Sequence, residues 1–394
     1  MIRSPKSHIL EMFTRLWPPQ KPLIYSGEDS TLKIAELIVD SGYKNPLLIT
    51  GKYLLRNGKL EKVINTLEQK GCKPVIYDGS IPNPTFKQVQ EGLEISLSNK
   101  CDCVLAIGGG SVIDVAKVVA AASTNRVPLN KLTGLLKIRK NPLPFYAVPT
   151  TSGSGSETTI AAVISDDKTH KKNFFIDPKL IPFSVALDPL LISSLPSHIT
   201  AAVGMDALTH ALEAYLSTNA TEETSRHAEL AIKLIFDNLG KVVLNGQDID
   251  AREKMAQASL LAGYAFTKSS LGYVHAISHQ ISASYNTSHG LANAILLPKV
   301  LRFNMSKCED KYAKLELILN TNSHISSQRD LALQFVSRVE SLSNSIGIPN
   351  AIEGLKAFDY SKIARAALSE ASRSYAIPRK MKSKDVEKIL LSVT

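Results

Sequence analysis

The sequence predicts two domains, an N-terminal α/β domain built on a doubly wound parallel sheet and an all-helical C-terminal domain. Three observations support this fold class. A chain of 394 residues is too long for a single compact core. Short apolar strands alternate with helical segments along the first half of the chain. After about Leu191 the strand signals disappear and long helical segments take over. We therefore place the domains at residues 1–190 and 191–394.

Five segments of the first half have the almost continuous apolar character of strands that are buried on both faces. They cover residues 45–50, 73–79, 102–109, 144–150 and 184–188. Segments between them combine apolar residues at helical spacing with a charged outer face, as in residues 58–71 and 84–100. Helical periodicity alone marks the second half, in residues 204–218, 222–239, 253–270 and 328–347.

The composition is that of an ordinary globular protein, with 44% hydrophobic and 21% charged residues. The net charge is +10, but the basic residues are scattered, so we expect no nucleic-acid site. No segment is long and apolar enough to span a bilayer. Glu11 and Arg15 interrupt the apolar residues of the N-terminal segment 1–20, which therefore does not resemble a secretory signal. We expect a cytoplasmic protein.

A glycine-rich turn, Gly108–Ser111, joins the strand at 102–109 to a helix. Glycine lets the backbone approach a ligand closely, and the first amides of a helix attract phosphate. A tight turn that needs glycine for steric reasons alone is the alternative, and the G-x-G-x-x-G fingerprint is absent. We interpret the turn as a pyrophosphate site and expect Ser111 and Asp114 to cap the helix.

A second loop of small residues, 149–157, follows the next strand with the sequence PTTSGSGSE. Loops at the carboxyl ends of strands in a doubly wound sheet converge on one crevice. We therefore expect this loop to line the same site as the glycine-rich turn. A disordered surface loop is the alternative, but apolar strands flank the segment on both sides.

Two pairs of residues have metal-ligand spacing in the second half. Asp206 and His210 are four residues apart and share one helix face, and His275 and His279 repeat the spacing. His289 follows in a predicted loop. A lone histidine is more often a core or surface residue, whereas these two clusters offer five ligands. One carboxylate and several imidazoles form a mixed set that suits Fe²⁺ or Zn²⁺. The spacing therefore favours a metal site.

With these motifs identified, the chain resembles the iron-containing (group III) alcohol dehydrogenase family over almost its whole length. The resemblance rests on several long motifs in the same order as in the family. They are PNPT at 82–85, GGGSVIDVAK at 108–117, PTTSGSGSE at 149–157, LDPLLISSLP at 187–196, GMDALTHALEAY at 204–215 and HAISHQISASYNTSHGLANAILLP at 275–298.

The resemblance implies a dehydroquinate synthase-like fold, with an α/β nucleotide-binding domain followed by a helical domain. It implies a metal-dependent, NAD(P)-linked alcohol dehydrogenase or aldehyde reductase that interconverts a primary alcohol and its aldehyde by hydride transfer. A dehydroquinate synthase-like or glycerol dehydrogenase-like enzyme on the same fold is an alternative, as is a non-catalytic binding protein. We also expect a homodimer or a higher homo-oligomer.

Matching to the family motifs assigns roles to individual residues. The implied metal ligands are Asp206, His210, His275 and His289, with Fe²⁺ as the expected ion and Zn²⁺ as the alternative. The implied cofactor site comprises Gly108, Gly109, Gly110, Ser111, Asp114, Thr150, Thr151 and Lys172. His279 takes the place of the family's non-ligand histidine beside the substrate and is our candidate for the proton relay. Phe266 falls where an apolar side chain lines the substrate pocket.

Two departures from the family pattern concern specificity. Gly51 stands where many NAD-specific members have an aspartate, which binds the ribose hydroxyls and repels a 2′-phosphate. Its absence, with Lys52 next to it, favours acceptance of NADP(H) as well as NAD(H). Lys268 stands where small or amide residues are usual. It either attracts an anionic substrate or points to solvent, and the sequence leaves both interpretations open.

Overall fold

The computed structural model describes residues 21–167, 171–285, 287–321, 325 and 327–394. The chain divides into two compact units between Ser194 and Leu195, and each unit is described by itself. The interpretation of segment 1–20 as something other than a secretory signal lies outside the described residues.

The first unit contains a six-stranded, all-parallel sheet with the strand order β1-β9-β6-β4-β2-β3. A smaller sheet has the order β5-β8-β7, in which β7 and β8 are antiparallel. The strands are β1 (Leu23–Ser26), β2 (Pro46–Thr50), β3 (Val75–Tyr77), β4 (Cys103–Gly108), β5 (Gly134–Leu135), β6 (Phe145–Pro149), β7 (Ala161–Ser165), β8 (Lys172–Ile176) and β9 (Ser184–Leu187).

Helices accompany this sheet, and the three segments predicted as helices correspond to Glu61–Gln69, Phe86–Ser98 and Gly110–Asn125. The helices of this unit are α1 (Ser30–Asp40), α2 (Lys52–Arg56), α3 (Glu61–Gln69), α4 (Phe86–Ser98), α5 (Gly110–Asn125) and α6 (Pro189–Ile192). Ile34 of α1 and Leu67 of α3 pack in one buried cluster with Leu48 of β2 and Leu105 of β4. The predicted parallel α/β fold is confirmed, and the five predicted strands correspond to β2, β3, β4, β6 and β9.

The predicted cap at the start of α5 is wrong. The helix begins at Gly110 with Gly109 as its N-cap, and no side chain of the described residues bonds to this cap. Ser111 is already inside the helix. The Asp114 carboxylate instead faces Ser156 and strand β7, where it accepts hydrogen bonds from Ser156 Oγ at 3.2 Å and from the Val163 amide at 2.9 Å.

The second unit is helical, and its described residues contain no strand. The predicted all-helical second half is therefore confirmed. No helix in the described part of the chain combines the length and apolar character that membrane crossing requires. The helices are α7 (Ser197–Leu216), α8 (Glu222–Leu244), α9 (Ile249–Ser269), α10 (Tyr273–Tyr285), α11 (His289–Leu319), α12 (Gln328–Ser345), α13 (Tyr360–Ser374) and α14 (Ser383–Leu391).

Helix α7 lies in the core of this unit, packed against α8, α9 and α11. Nearly every residue from Thr200 to Leu216 is buried, as expected of a helix that is surrounded by other helices. Its polar residues are therefore removed from water together with its apolar ones. Such residues need partners inside the protein, because an unpaired buried polar group destabilises the fold.

His289 is the first residue of α11, so its predicted loop position is wrong. The start of α11 lies directly against the backbone of α7. A Cβ atom on Gly290 would lie 2.7 Å from the Ala202 carbonyl oxygen, which is too close for any side chain. Glycine is required here because it lets the two helices approach, and this approach brings His289 toward the ligands on α7.

Candidate metal centre and cofactor-binding loops

Three strands of the parallel sheet end beside one another. Thr50 at the end of β2 pairs with Ile107 of β4, and Gly108 at the end of β4 pairs with Pro149 of β6. The Thr150 amide also donates to the Gly108 carbonyl at 3.0 Å. The residues that follow these strands therefore share one edge of the sheet, where α/β proteins bind nucleotides. They include Gly51, Gly109, Gly110, Ser111, Thr150 and Thr151.

Both interpretations of the glycine-rich turn find support in its geometry. A Cβ atom on Gly110 would lie 2.6 Å from Ser154 Oγ, and one on Gly108 would lie 2.5 Å from a Val112 methyl carbon. Steric crowding alone therefore requires glycine at both positions. The turn also leads into a 16-residue helix whose first turn no described side chain caps. Such a helix start attracts anions through its amides and its dipole.

A buried lysine holds the second loop in place. Lys117 on α5 is 1% exposed, and its ammonium donates to the carbonyl oxygens of Ser156, Thr159 and Ala161 at 2.6–2.8 Å. It also lies 2.9 Å from Thr159 Oγ1. Burial lowers the pKa of Lys117 to about 8, although the nearby Asp114 and Glu157 oppose this shift. The buried ammonium therefore holds the loop against α5 through these hydrogen bonds.

Two carboxyl groups share this buried environment. Burial raises the pKa of Asp114 to about 6, against the opposing effects of Lys117 and its hydrogen-bond donors. Burial likewise raises the pKa of Glu157 to about 7. Lys172, the first residue of β8, is close enough to lower the pKa of Asp114 electrostatically. The predicted cofactor residues Asp114 and Lys172 therefore belong to one charged network beneath the loop.

Gly51 has open space where a side chain would stand. Its backbone is extended, with φ at −103°, a conformation that any residue adopts. A Cβ atom there would meet only the Ser80 carbonyl oxygen, at an ordinary contact distance of 3.6 Å. Lys52 begins α2 directly after it. Nothing in the backbone therefore requires glycine at this position.

Three predicted metal ligands meet inside the helical unit. Asp206, His210 and His275 are buried, and one ligand atom from each lies within 4.8 Å of the others. The Nε2 atom of His289 is 3.7 Å from Asp206 Oδ1, and that of His275 is 3.8 Å from the same oxygen. One carboxylate and three imidazoles from α7, α10 and α11 thus converge, and this donor set fits Fe²⁺ or Zn²⁺.

The imidazole rings of the site pack against one another. The His210 ring stacks on His275, with centroids 4.5 Å apart, and on Phe266 at 4.4 Å. The His289 ring stacks on His279 at 5.1 Å. His279 thus lies beside the ligand cluster, as its predicted role requires. Phe266, which is predicted to line the substrate pocket, presents an aromatic face to a predicted ligand.

Glu213 orients His275 from behind. Its carboxylate accepts from His275 Nδ1 at 2.6 Å, and from the amides of Gly272 and Val274 at 2.8 and 2.7 Å. With Nδ1 bonded to a carboxylate, His275 keeps its Nε2 lone pair for a metal. Burial raises the pKa of Glu213 to about 7, against the opposing hydrogen bonds from the two amides.

The charge of Asp206 suits a ligand. Burial alone would raise the pKa of this carboxyl, but the neighbouring histidines His210, His289 and His275 hold it below its ordinary value. A carboxylate that stays ionised in a buried site is ready to bind a cation.

A second carboxylate orients His279. Glu370 on α13 lies 2.6 Å from His279 Nδ1, and the same oxygen accepts from the Tyr375 hydroxyl at 2.6 Å. Its other oxygen accepts from Gln280 Nε2 at 2.8 Å. This network fixes the imidazole ring in one orientation and forms a continuous chain of hydrogen-bonding groups that starts at His279.

Lys268 forms an ion pair. Its ammonium lies 2.8 Å from Glu223 Oε2 on α8, and its side chain is 35% exposed. The positive charge at this position is therefore balanced by a neighbouring carboxylate.

Three residues beside the site, Glu213, Asn293 and Glu370, are not among those predicted from the sequence. Glu213 follows Asp206 and His210 at intervals that keep all three on one helix face, so the pattern was present in the sequence. Asn293 stands one turn after His289 on α11, and the predicted loop concealed this relation. Glu370 reaches His279 from 91 residues away along the chain, and no local pattern indicates such a contact.

Comparisons with known proteins cover almost the whole described chain. A family description named "Iron-containing alcohol dehydrogenase" matches residues 21–189, and "Fe-containing alcohol dehydrogenase family, C-terminal" matches residues 200–394. The 1,3-propanediol dehydrogenase of Citrobacter freundii is 39% identical, over 93% of this chain and 95% of that protein. The NAD-dependent methanol dehydrogenase of Bacillus methanolicus is 34% identical, over 94% and 97%. The crystal structure of a 1,3-propanediol oxidoreductase superposes with a TM-score of 0.91 at 36% identity, over 95% of this chain and 98% of that one.

Proposed function

This chain belongs to the iron-containing alcohol dehydrogenase family, and we propose that it interconverts a small neutral primary alcohol and its aldehyde with a nicotinamide cofactor. The observation that carries the proposal is the buried convergence of Asp206, His210 and His275. In the family context, this cluster makes the chain a metal-dependent oxidoreductase of the alcohol dehydrogenase and aldehyde reductase class.

We propose Asp206, His210, His275 and His289 as the residues that hold the cation. Their positions on α7, α10 and α11, and the orientation of His275 by Glu213, support this assignment. A divalent cation held there supplies positive charge for a substrate oxygen, and the nicotinamide supplies or accepts the hydride. The relative positions of the four side chains are fixed by helix packing, so their orientation does not depend on a flexible loop.

His279 is the proposed proton carrier. Its Nδ1 atom is held by Glu370, so its Nε2 atom is left to exchange a proton with the substrate oxygen or with water. Tyr375 and Gln280 hold Glu370 in turn, which limits rotation of the imidazole ring. Glu370 acts through His279 and is therefore a positioning residue.

We propose that the cofactor binds at the edge of the sheet, against Gly108–Ser111, Asp114, Thr150–Thr151 and Lys172. NAD(H) is the expected cofactor, as in the methanol dehydrogenase relative, and NADP(H) is accepted because no carboxylate stands at Gly51.

The Gly51→Asp variant is expected to lose use of NADPH while it retains use of NADH. Steady-state kinetics with both cofactors measure this selectivity, and Gly240→Asp, on the exposed surface of α8, is a control. Equal loss with both cofactors would argue against the assigned role of Gly51.

The substrate class follows from the side chains around the ligands. Phe266 offers an apolar face beside His210, which suits a short carbon chain. Lys268 pairs with Glu223, so the two side chains together carry no net positive charge that would attract an anionic substrate. The two relatives named above act on 1,3-propanediol and methanol, which are uncharged primary alcohols. We therefore propose a neutral substrate in preference to a carboxylated one.

The test is an anaerobic assay of Fe²⁺-loaded and Zn²⁺-loaded protein, with NADH and NADPH, against a panel of neutral and carboxylated aldehydes. We expect turnover of neutral aldehydes and its loss in His275→Ala, together with the metal. Retention of both metal and activity in that variant would refute the site. Net NADH formation from an added alcohol separates a dehydrogenase from a lyase that regenerates its cofactor. Sedimentation equilibrium tests the prediction of a homodimer or higher homo-oligomer.

A further inference from the structure

The amide group of Asn293 lies where the proposed metal ligands converge. Its Nδ2 atom is 2.7 Å from Asp206 Oδ1, 3.2 Å from His275 Nε2 and 3.1 Å from His289 Nε2. The side chain is fully buried on α11. One small polar group is thus in contact with three of the four proposed ligand side chains.

The hydrogen bonding of this amide is incomplete. An amide nitrogen has two hydrogens, so it cannot donate fully to three acceptors. The amide oxygen Oδ1 is buried and has no hydrogen-bond partner among the described residues. A buried carbonyl oxygen without a donor is unfavourable and needs an explanation, such as a bound ion. The side chain therefore offers an unused oxygen at the edge of the ligand cluster.

A half-turn of the amide exchanges its nitrogen and its oxygen, which have nearly the same shape. The side chain would then direct a neutral oxygen toward the point that Asp206, His275 and His289 now surround. Amide N–H groups are repelled by a cation, whereas amide oxygens are good ligands for one. An inward oxygen therefore suits the cluster when it holds a cation, whereas an inward nitrogen would oppose the binding of one.

We propose that Asn293 is a fifth residue of this metal site, whose amide oxygen turns toward the cation and favours Fe²⁺ over Zn²⁺. The inference rests on the proposed function, because it presupposes a cation held by Asp206, His210, His275 and His289. A fifth donor helps an ion that accepts five or six ligands. It adds less for Zn²⁺, which prefers four ligands in a tetrahedral arrangement.

The experiment compares metal binding by wild-type protein and Asn293→Ala after removal of all metal. Dissociation constants for Fe²⁺, measured anaerobically, and for Zn²⁺ come from competition with a chelator. The visible absorption of the Co²⁺ form reports the number of ligands, because four-coordinate Co²⁺ absorbs more strongly than five-coordinate Co²⁺. We expect Fe²⁺ binding to weaken by about tenfold or more, Zn²⁺ binding to weaken less, and the Co²⁺ absorption to intensify.

Asn304 provides a matched control on the same helix. It is also a buried asparagine whose Oδ1 has no partner among the described residues, but it lies eleven residues after Asn293. The Asn304→Ala variant should keep the wild-type metal affinities and Co²⁺ spectrum. If Asn293→Ala does not fold, Asn293→Ser is used with the same expectations, because its hydroxyl is too short to replace the amide oxygen.

Two results would overturn the inference. Unchanged Fe²⁺ affinity and an unchanged Co²⁺ spectrum would show that Asn293 does not contact the cation. Equal weakening of Fe²⁺ and Zn²⁺ without a spectral change would show that the residue only supports the other ligands. Wild-type protein that binds neither metal would instead refute the proposed function itself, so the two failures are distinguishable.

Discussion

Three donors converge on the carboxylate of Glu213, namely the amides of Gly272 and Val274 and the Nδ1 atom of His275. Crowding adds to this restraint, since a Cβ atom on Gly272 would lie 2.7 Å from Glu213 Oε1. The carboxylate thus links the position of a backbone turn to the orientation of a proposed ligand. Partners of this kind are often as important for metal affinity as the ligands are.

The Glu213→Gln variant should bind metal about 10–100-fold more weakly than wild-type protein. Glutamine has a single acceptor oxygen, so its NH₂ group would face either the Val274 amide, which bonds to Oε1, or the Gly272 amide and His275 Nδ1, which share Oε2. Either arrangement disturbs the turn that positions His275, and the negative charge behind its ring is lost. Metal content after dialysis against a graded chelator measures the effect. Glu316→Gln is the control, since Glu316 is also fully buried in the helical unit but pairs with Arg338. Equal metal loss in both variants would show a general loss of stability instead.

The raised pKa of Glu157 predicts a pH-dependent stability. The folded protein favours the neutral acid, because burial raises its pKa from 4.5 to about 7. The stability that this group contributes is therefore present below pH 4.5 and is lost as the pH rises toward 7. Glu157→Gln should gain up to about 3 kcal/mol relative to wild type over this window. Denaturant unfolding at several pH values measures the difference, and exposed Glu68→Gln should show none.

Among single residues, the sequence could indicate the proposed ligands but not the distant contact that orients His279. Asp206, His210, His275 and His279 follow simple helical spacing, which is visible without a structure. The contact of Glu370 with His279 depends on how α13 packs against α10, and local periodicity carries no information about that packing.

At the scale of elements, buried strands were easier to predict than exposed ones. The strands β2, β4, β6 and β9 are wholly buried, and their continuous apolar sequences indicate them directly. The strand β1 has only four residues with exposed ends, and β5 has two. Such short or partly polar segments do not differ from loops in sequence. The helix start at His289 was missed for a related reason, because the preceding residues NTS resemble a turn.

Lys117 of α5 holds the backbone from Ser156 to Ala161, which comprises the end of the second loop and the residues that follow it. Replacing Lys117 with methionine keeps the length of the side chain but removes the ammonium that bonds to three carbonyl oxygens. We expect a loss of about 2–4 kcal/mol, and faster proteolysis within the loop. We also expect weaker cofactor binding, measured by fluorescence titration with NADH. Lys33→Met, on the exposed face of α1, is the control. An intact loop in Lys117→Met would contradict this role.

At the scale of the whole molecule, the two halves of the sequence differ in chemistry as well as in structure. All four proposed metal ligands lie after Leu195, and all the proposed cofactor residues lie before it. The change from strand–helix alternation to helices was visible in the sequence because the two patterns have different periods. Sequence motifs assigned the proposed ligands to one half of the chain and the proposed cofactor residues to the other. The distances between the residues within each half required the structure.

Metal should therefore stabilise the helical unit selectively. A cation at 100 times its dissociation constant adds about 2.7 kcal/mol to the stability of the state that binds it. Calorimetry of metal-free and loaded protein should show a higher unfolding temperature for the transition of residues 195–394. His275→Ala should abolish this shift. A shift that persists in this variant would place the cation elsewhere.

Gly51 has a consequence for how this enzyme can change over generations. An extended backbone and open space make the position tolerant of a larger residue. In every glycine codon, changing the middle base from G to A yields a codon for aspartate or glutamate. A single point mutation, whichever codon the gene uses, therefore places a carboxylate beside the expected ribose without straining the chain. One base change in this codon would therefore be enough to alter the expected preference between the two nicotinamide cofactors, and selection could act on the result.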